Sequence, residues 1–572
     1  MPGVERSWDV ETDLLVIGAG AAGMTAALVG ALEGLDVLLC EKSDMVGGTT
    51  ATSAGTVWIP GSSQSRRAGM PDSVEAARIY LAALLGERAI DERLDTFLKA
   101  GPVVLDYLER KSSVRFTAPP VHPDYRDLPG AATGGRALGA VPFDGRELGD
   151  DFAHIRPPRR EFMILGGMMV GKQDIPALLA PLRTWSNLRH VIGILVRHAL
   201  DRFRYRRGTR LLMGNALVAR LFDSIRRAGV RLRYQTELRE LIIVGDEVVG
   251  AAVSSPAGAL AVRARKGVVL ATGGIGWSRE LRERLLPEAA RRYSLAPSSN
   301  TGDGILAAER ANAVVESGPG SPALWMPSSV MTQADGHVSV FPHIMLDRAR
   351  PGLLAVDQAG RRFVNEADSY HDFVEAMLRP HASGSPATPA FLICDRLFIR
   401  DYGIGLVHPG TRNLDRFLKA RYLIKGATIE ALADKIGVDG RQLVQTVERY
   451  NHHAERGVDE DFGRGASELN RFNGDPLIQP NPCLRRIGPG PYYAVAVWPS
   501  DLAGSAGLRT DSAARVLTRD GAVIPGLYAA GTDSCSIFRG TYPGPGTVIG
   551  PAIVFGWLAA MNAAGTLPGD LA

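Results

Sequence analysis

Asp13-Leu-Leu-Val-Ile-Gly-Ala-Gly-Ala-Ala-Gly-Met24 is an apolar run that breaks at three spaced glycines and continues as an alanine-rich segment. Glu41-Lys42 follows eighteen residues after the last of those glycines. A strand, a turn carrying Gly18, Gly20 and Gly23, a helix and an acid ending the next strand together specify a dinucleotide-binding βαβ unit. Gly18 permits the tight turn, Gly20 lets the backbone approach a pyrophosphate, and Gly23 lets helix and strand pack closely. The pyrophosphate sits over the helix N-terminus at Ala22, where unpaired N–H groups point outward. Glu41 is placed to accept from the adenosine ribose, with Lys42 beside it.

With 572 residues, 45% hydrophobic and 22% charged, the chain suits two or more globular domains. Its formal charge of +4 is too small to point to nucleic acid. Cys40, Cys394, Cys483 and Cys535 lie far apart, without a CxxC, so neither zinc nor a disulfide framework is indicated and no metal is expected. The chain opens on polar and charged residues, and no apolar run reaches the length of a membrane span. The expected location is cytoplasmic.

Downstream, Val46-Gly-Gly-Thr-Thr-Ala-Thr-Ser-Ala-Gly-Thr-Val-Trp58 is a loop of small residues, and helical spacing runs from Ser73 to Lys111. Residues 112–175 are rich in Pro, Gly and turns. Residues 182–207 are helical, with seven arginines among apolar residues. Two readings fit them: a peripheral membrane contact, or a packed helix with a solvated charged face, the default expectation. A helix over Leu211–Gly229, a strand from Val230 and a hairpin turning at Gly245 follow. Gly267-Val-Val-Leu-Ala-Thr-Gly-Gly274 reads as a buried parallel strand. The βα rhythm lapses over about 300–495 and returns with Gly526-Leu-Tyr-Ala-Ala-Gly-Thr-Asp533 and a helix over Thr547–Ala563. The expected class is α/β: a discontinuous Rossmann-like nucleotide-binding domain (1–299 and 496–572) with an inserted α+β catalytic cap domain (300–495).

The N-terminal fingerprint, Ala271-Thr-Gly-Gly274 and Gly526–Asp533 together resemble the succinate dehydrogenase/fumarate reductase flavoprotein superfamily over nearly the whole chain. The resemblance implies FAD as cofactor. It implies contacts from Gly48, Thr49, Thr50, Ser53 and Gly55 in the small-residue loop, and from Leu238 to the adenine through its backbone. Thr272, Gly273 and Asp303 (in Thr301-Gly-Asp-Gly304) are placed near the flavin in the same way. So are Gly531, Asp533, Val548 and Ile549, the Asp533 carboxylate reaching a polyol chain. Members that bind flavin covalently carry a histidine after the Gly-Gly; none stands between Gly47 and Gly55, so noncovalent FAD is expected. No second GxGxxG occurs in a strand–helix setting, and the expected electron acceptor is a quinone or oxygen.

Where fumarate reductases carry a proton-donating arginine this chain has Tyr370, and no arginine stands at the start of the last helix. A dicarboxylate needs paired guanidiniums, because carboxylates buried without partners are costly. A neutral, apolar substrate is expected instead. Tyr542-Pro-Gly-Pro-Gly546-Thr-Val-Ile-Gly550 is similar to the active-site segment of bacterial 3-ketosteroid Δ1-dehydrogenases. There a tyrosine and the glycine four residues later hold the C3 carbonyl. A phenol and a backbone N–H at a helix start make a two-donor hole for an enolate. The resemblance makes Tyr370 the base that takes the C2 proton as hydride leaves C1 for the flavin. Tyr125, in His122-Pro-Asp-Tyr-Arg-Asp-Leu-Pro-Gly130, is its hydrogen-bonding partner by the same resemblance. His122 and His371 are alternative bases, and Phe152, Phe162, Met163, Met168 and Met169 are candidates for an apolar wall. Other readings are a ketosteroid 4(5)-dehydrogenase, a dehydrogenase or reductase of another cyclic enone, a fumarate-reductase-type enzyme and a non-catalytic flavoprotein.

Overall fold

In the computed structural model residues 7–569 and 571 are described, apart from 87–89, 172, 334, 381–383 and 385. The polar start of the chain, residues 1–6, lies outside them. The first strand, Val10–Ile17, is the centre of the nucleotide-binding sheet. Leu14–Ile17 pair in parallel with Val37–Cys40 on one side and with Gly267–Leu270 on the other. Arg231–Arg233 extends the parallel sheet beyond Val37–Cys40. The long strand Gly258–Leu270 divides its outer edge. Its first half pairs antiparallel with Glu247–Ser255, and its last residues pair in parallel with Leu527–Ala529.

Because successive strand residues face opposite ways, the apolar run Leu14–Ile17 feeds two cores. Leu14 and Val16 face one, with helices Ala21–Leu32 and Ile549–Ala564; Leu15 and Ile17 face the other, shared with the second sheet. Burial on both faces explains why the run is uniformly apolar rather than alternating. The fingerprint helix and the last helix touch through small residues: a Cβ on Gly556 would stand 2.6 Å from the Ala22 carbonyl oxygen.

The second sheet is built around Tyr492–Gly504, which pairs antiparallel with Ala323–Thr332 and Ala390–Asp395. Val338–Pro342 and Leu353–Val356 flank these strands. Tyr293–Ser294 also joins Tyr492–Gly504, so strands of this sheet reach past 300 and 495 at both ends. Helix Tyr370–Leu378, capped by the Ser369 side chain, packs on Ala323–Thr332.

The 73–111 segment is two helices, Val74–Leu85 and Glu92–Lys111. No helix among the described residues is long and apolar enough to cross a membrane. The basic segment is helical over Trp185–Arg204, with Arg189, Arg202 and Arg204 exposed. His198 and Asp201 are buried, Leu188, Val191, Ile194 and Leu195 are half-buried, and Trp185, Ile192, Val196, Leu200 and Phe203 face solvent.

Candidate active site

The cradle for a dinucleotide is formed where the two central strands end. A Cβ on Gly18, at φ +102°, would lie 2.2 Å from the Ala271 carbonyl oxygen, and one on Gly23 would lie 1.8 Å from the Gly18 carbonyl oxygen. Neither position admits a side chain. Gly20 faces open space and starts a helix that its own side chain cannot cap. The Ala21 N–H is taken by Thr50 Oγ1 at 3.3 Å, while the Ala22 and Gly23 N–H groups have no partner among the described residues. Two free amides at a helix N-terminus, walled by glycines, fit a pyrophosphate. Gly48 backs this opening, 3.8 Å from Gly20 Cα at its Cβ position.

Several expected cofactor residues also hold one another. Glu41 Oε2 accepts from the Ala19 N–H and Oε1 from the Ser43 N–H, each at 2.9 Å, so this acid braces the fingerprint turn. Oε1 also accepts from the Ser43 hydroxyl at 2.9 Å, and Oε2 retains a lone-pair site for a ribose. Lys42 Nζ donates to Thr301 Oγ1 at 2.7 Å and Asp303 Oδ2 at 2.8 Å, joining two chain regions expected at the cofactor. Ser53 bonds the Thr50 carbonyl, and Gly55 (φ +66°) packs on Met213 and Gly214. Asn300 Nδ2 donates to the Gly273 carbonyl at 3.0 Å and lies 3.5 Å from Thr49 Oγ1. Gln235 and Thr236 bond the 41–43 turn through their N–H groups, just ahead of Leu238 in the strand Glu237–Val244.

Asp533 is held by the end of the strand beside it. It is fully buried, and its carboxylate accepts from the Thr272 N–H at 2.6 Å, the Gly274 N–H at 2.8 Å and the Thr272 hydroxyl. It clamps the end of one parallel strand to the end of the next. Burial raises its pKa, and the two amide bonds oppose that shift. A cavity lined by Gly531, Thr532, Thr547, Val548, Leu324 and Gly504 lies at this junction.

Three phenols meet nearby. Tyr125, Tyr370 and Tyr542 are buried in one apolar cluster with Leu295, Leu324, Met326 and Met345. The Tyr125 hydroxyl donates to Tyr370 Oη at 2.9 Å. The Tyr542 ring centroid stands 5.4 Å from each of the other two, stacked on Tyr125 and edge-on to Tyr370. Burial pushes all three phenols well above the ordinary tyrosine pKa; the charge of Arg348 opposes this at Tyr370.

The turn bearing Tyr542 is fixed from three sides. Both the Tyr125 N–H (2.9 Å) and the Tyr80 hydroxyl (2.7 Å) donate to the Pro543 carbonyl. Gly546 has φ +99°, and a Cβ there would meet Val57 C at 2.6 Å and Trp58 N at 2.7 Å. Its carbonyl accepts from the Trp58 and Gly550 N–H groups, and its own N–H has no partner among the described residues. Gly546 therefore offers a free amide at the foot of helix Ile549–Ala564, four residues from Tyr542.

Spacing and periodicity did not expose the network behind this turn. Asp124 accepts from Trp58 Nε1 at 2.8 Å, Arg136 Nη1 at 2.7 Å and the Ala132 N–H at 3.0 Å. Arg136, almost wholly buried, also donates to Asp72 and the Gly130 carbonyl. A Cβ on Gly544 would stand 2.9 Å from Asp124 Oδ1. The pair thus holds Tyr125, one residue on, against the Tyr542 turn.

Of the alternative bases, His371 is turned away from proton abstraction. Its Nδ1 accepts from the Trp325 N–H at 3.2 Å, which leaves the proton on Nε2, 3.5 Å from Glu375 Oε1. Its ring stacks on Tyr542. His122 lies against Phe472. Phe152 packs under Arg207 and Phe162 against Phe341, so these two do not line the cluster.

A glycine-walled dinucleotide cradle beside a phenol-rich apolar cluster defines a flavin-dependent oxidoreductase. Residues 13–549 match the FAD binding domain family, and the chain belongs to it. It is an FAD-dependent oxidoreductase acting on CH–CH bonds. It is 36% identical to the 3-oxosteroid 1-dehydrogenase of Mycolicibacterium smegmatis, over 97% of this chain and 98% of that one. It is 39% identical to the 4-oxocyclohex-2-ene-1-carboxylate 5-dehydrogenase of Sinomonas cyclohexanicum, over 98% and 95%. Among solved structures it is similar to the 3-ketosteroid Δ1-dehydrogenase of Sterolibacterium denitrificans in complex with 1,4-androstadiene-3,17-dione. The TM-score is 0.90 at 36% identity, covering 97% of this chain and 100% of that one.

Proposed function

We propose that the protein introduces the C1–C2 double bond of 3-ketosteroids. The observation that carries this reading is the meeting of Tyr125, Tyr370 and Tyr542 in one apolar cluster beside the free amide of Gly546. The ring ketone accepts from the Tyr542 O–H and the Gly546 N–H, and both bonds strengthen as charge develops on the enolate oxygen. That acidifies the C2 hydrogens. Tyr370, as phenolate, takes the C2 proton, and the Tyr125 hydroxyl steadies the developing balance of charge through its hydrogen bond. Noncovalently bound FAD supplies the acceptor for the hydride that leaves C1. Loss of that hydride and the C2 proton leaves a C1–C2 double bond. The final acceptor is a quinone or oxygen.

The apolar lining supports a neutral tetracyclic substrate. Arg348 donates to the carbonyls of His343, Ile344 and Glu366, and Arg126 to Asp372, so neither guanidinium is free for a substrate carboxylate. The 39% identity to a cyclohexenone-carboxylate dehydrogenase favours a second reading, desaturation of a small cyclic enone. Anaerobic incubation with androst-4-ene-3,17-dione and, separately, with 4-oxocyclohex-2-ene-1-carboxylate distinguishes them. A 1,4-diene-3-one from the steroid is expected. Turnover of the carboxylate alone would replace the first reading with the second, and C4–C5 rather than C1–C2 desaturation of 5α-androstane-3,17-dione would overturn the regiochemistry.

A further inference from the structure

Helix Trp185–Arg204 carries apolar side chains on two sides: Leu188, Val191, Ile194 and Leu195 are half-buried, and a second set is exposed. A surface helix of a globular protein turns its apolar stripe to the core. Here the buried residues are His198 and Asp201, and polar anchors accompany the half-buried apolar side chains. His190 Nε2 lies 2.8 Å from Asp174 Oδ1, and Arg197 pairs with Asp144 at 2.8 Å. His198 bonds the Leu165 carbonyl at 3.0 Å, and Asp201 accepts from the Thr209 N–H at 2.7 Å. On the outer side Trp185, Ile192, Val196, Leu200 and Phe203 are 76, 50, 52, 64 and 89% exposed. At about 100° per residue these five fall in a sector about 80° wide, along about 27 Å of helix. Leu182 (84% exposed) and Leu165 (63%) also face solvent close to this helix in the chain or by contact. Arg189 lies in the same sector, so exposed apolar side chains and a guanidinium share one side of the helix, a pattern that marks an interaction site.

The charges identify what covers it. Residues 182–207 contain seven arginines and one acid, and that acid, Asp201, is buried. Arg183, Arg189, Arg202, Arg204 and Arg206 are exposed, with no carboxylate partner among the described residues. Two copies joined through this face would crowd these cations together without an acid to answer them. A layer of phosphodiester headgroups over hydrocarbon complements both the apolar stripe and its guanidinium border.

We propose that this helix seats the protein on the surface of an anionic phospholipid bilayer, apolar side chains below the headgroups and arginines on the phosphates. The contact is interfacial, since no helix among the described residues is long and apolar enough to cross a membrane. It is independent of which ketone is turned over, because its test reads binding rather than chemistry.

The test is co-flotation of the FAD-loaded protein with phosphatidylglycerol/phosphatidylcholine vesicles and with phosphatidylcholine vesicles. The full chain is expected to float with the anionic vesicles at low salt and to be partly released at high salt. Ile192→Glu with Phe203→Glu is expected to lower binding about tenfold or more. Arg183→Gln with Arg189→Gln is expected to weaken binding to the anionic vesicles only. Flavin content reports folding of each variant. Should the double glutamate variant misfold, quenching by brominated lipid that is lost in Trp185→Phe reads the same contact. Failure of the wild-type protein to bind anionic vesicles overturns the proposal. So does a solution dimer that Ile192→Glu dissociates, which would give this face to a second copy.

Discussion

The hydroxyls of Tyr125 and Tyr370 lie 2.9 Å apart although the residues are 245 positions apart in the chain. One belongs to a loop held by the Pro543 carbonyl and the other is the first residue of a capped helix on the second sheet. The bond therefore ties the nucleotide-binding side of the molecule to the cap. It gives the proposed base a partner that can donate to its phenolate.

Replacing Tyr370 with Phe removes the base and leaves the cavity nearly unchanged in volume. A loss of about 10²–10⁴-fold in kcat is expected, the scale for a positioned acid–base group. Tyr125→Phe removes one hydrogen bond, worth about 1 kcal/mol, and is expected to cost several-fold. Stopped-flow flavin reduction on variants with full flavin content measures both. Equal losses at the two positions would contradict the division of roles.

The pH dependence follows from burial. All three phenols are held above the ordinary tyrosine value of about 10, so the free enzyme carries little phenolate at neutrality. If Tyr370 acts as phenolate, kcat/KM is expected to rise with pH and still be rising at about pH 9. The stability sign is opposite. A raised folded-state pKa favours the protonated form, so its contribution is present below about pH 10 and is lost as pH rises further. Circular dichroism across the titration separates the two effects. A rate maximum near neutrality, followed by a fall, would contradict the assignment.

Gly546→Ala places a methyl group 2.6–2.8 Å from the backbone of Thr56–Trp58 at φ +99°. Strain and overpacking are each expected to cost about 1–3 kcal/mol, with lost turnover as the amide shifts. Gly34, at φ +88° but facing open space, isolates the strain alone when changed to alanine. Thermal unfolding of the two variants compares them; equal shifts would show that the contact with Thr56–Trp58 is loose.

Asp124→Asn breaks a buried ion pair, leaving the Arg136 guanidinium short of one carboxylate. Removing one partner of such a pair costs about 3–5 kcal/mol. Because Asp124 also receives Trp58 Nε1 and precedes Tyr125, kcat is expected to fall while flavin affinity holds. Flavin titration beside steady-state kinetics checks this. Loss of flavin binding with unchanged kcat would place Asp124 in the scaffold alone.

Much of the fold is visible in local pattern, because Leu14–Ile17 and Gly267–Leu270 are apolar on both faces and end in glycines that only a close turn requires. The pairing of Tyr125, Tyr370 and Tyr542 has no local signature. It was reachable through resemblance, since the three lie on separate chain regions and no periodicity links them. The Asp72–Asp124–Arg136 network, with Trp58, escaped for the same reason: charges at irregular spacing read as surface until tertiary contacts bury them. Asp533 was read as a strand-end acid by type and place, and its bonds to the Thr272 and Gly274 amides have no local signature. In Trp185–Arg204 the apolar stripe is plain in the sequence, yet periodicity says nothing about which side meets the protein.

The most direct test of the proposed ketone hole is the rate of anaerobic flavin reduction by androst-4-ene-3,17-dione in Tyr542→Phe against wild type. Loss of one of the two donors is expected to slow reduction by about 10²–10³-fold, with the 1,4-diene-3-one still the product. An unchanged rate would remove Tyr542 from the site and with it the proposed grip on the ring ketone.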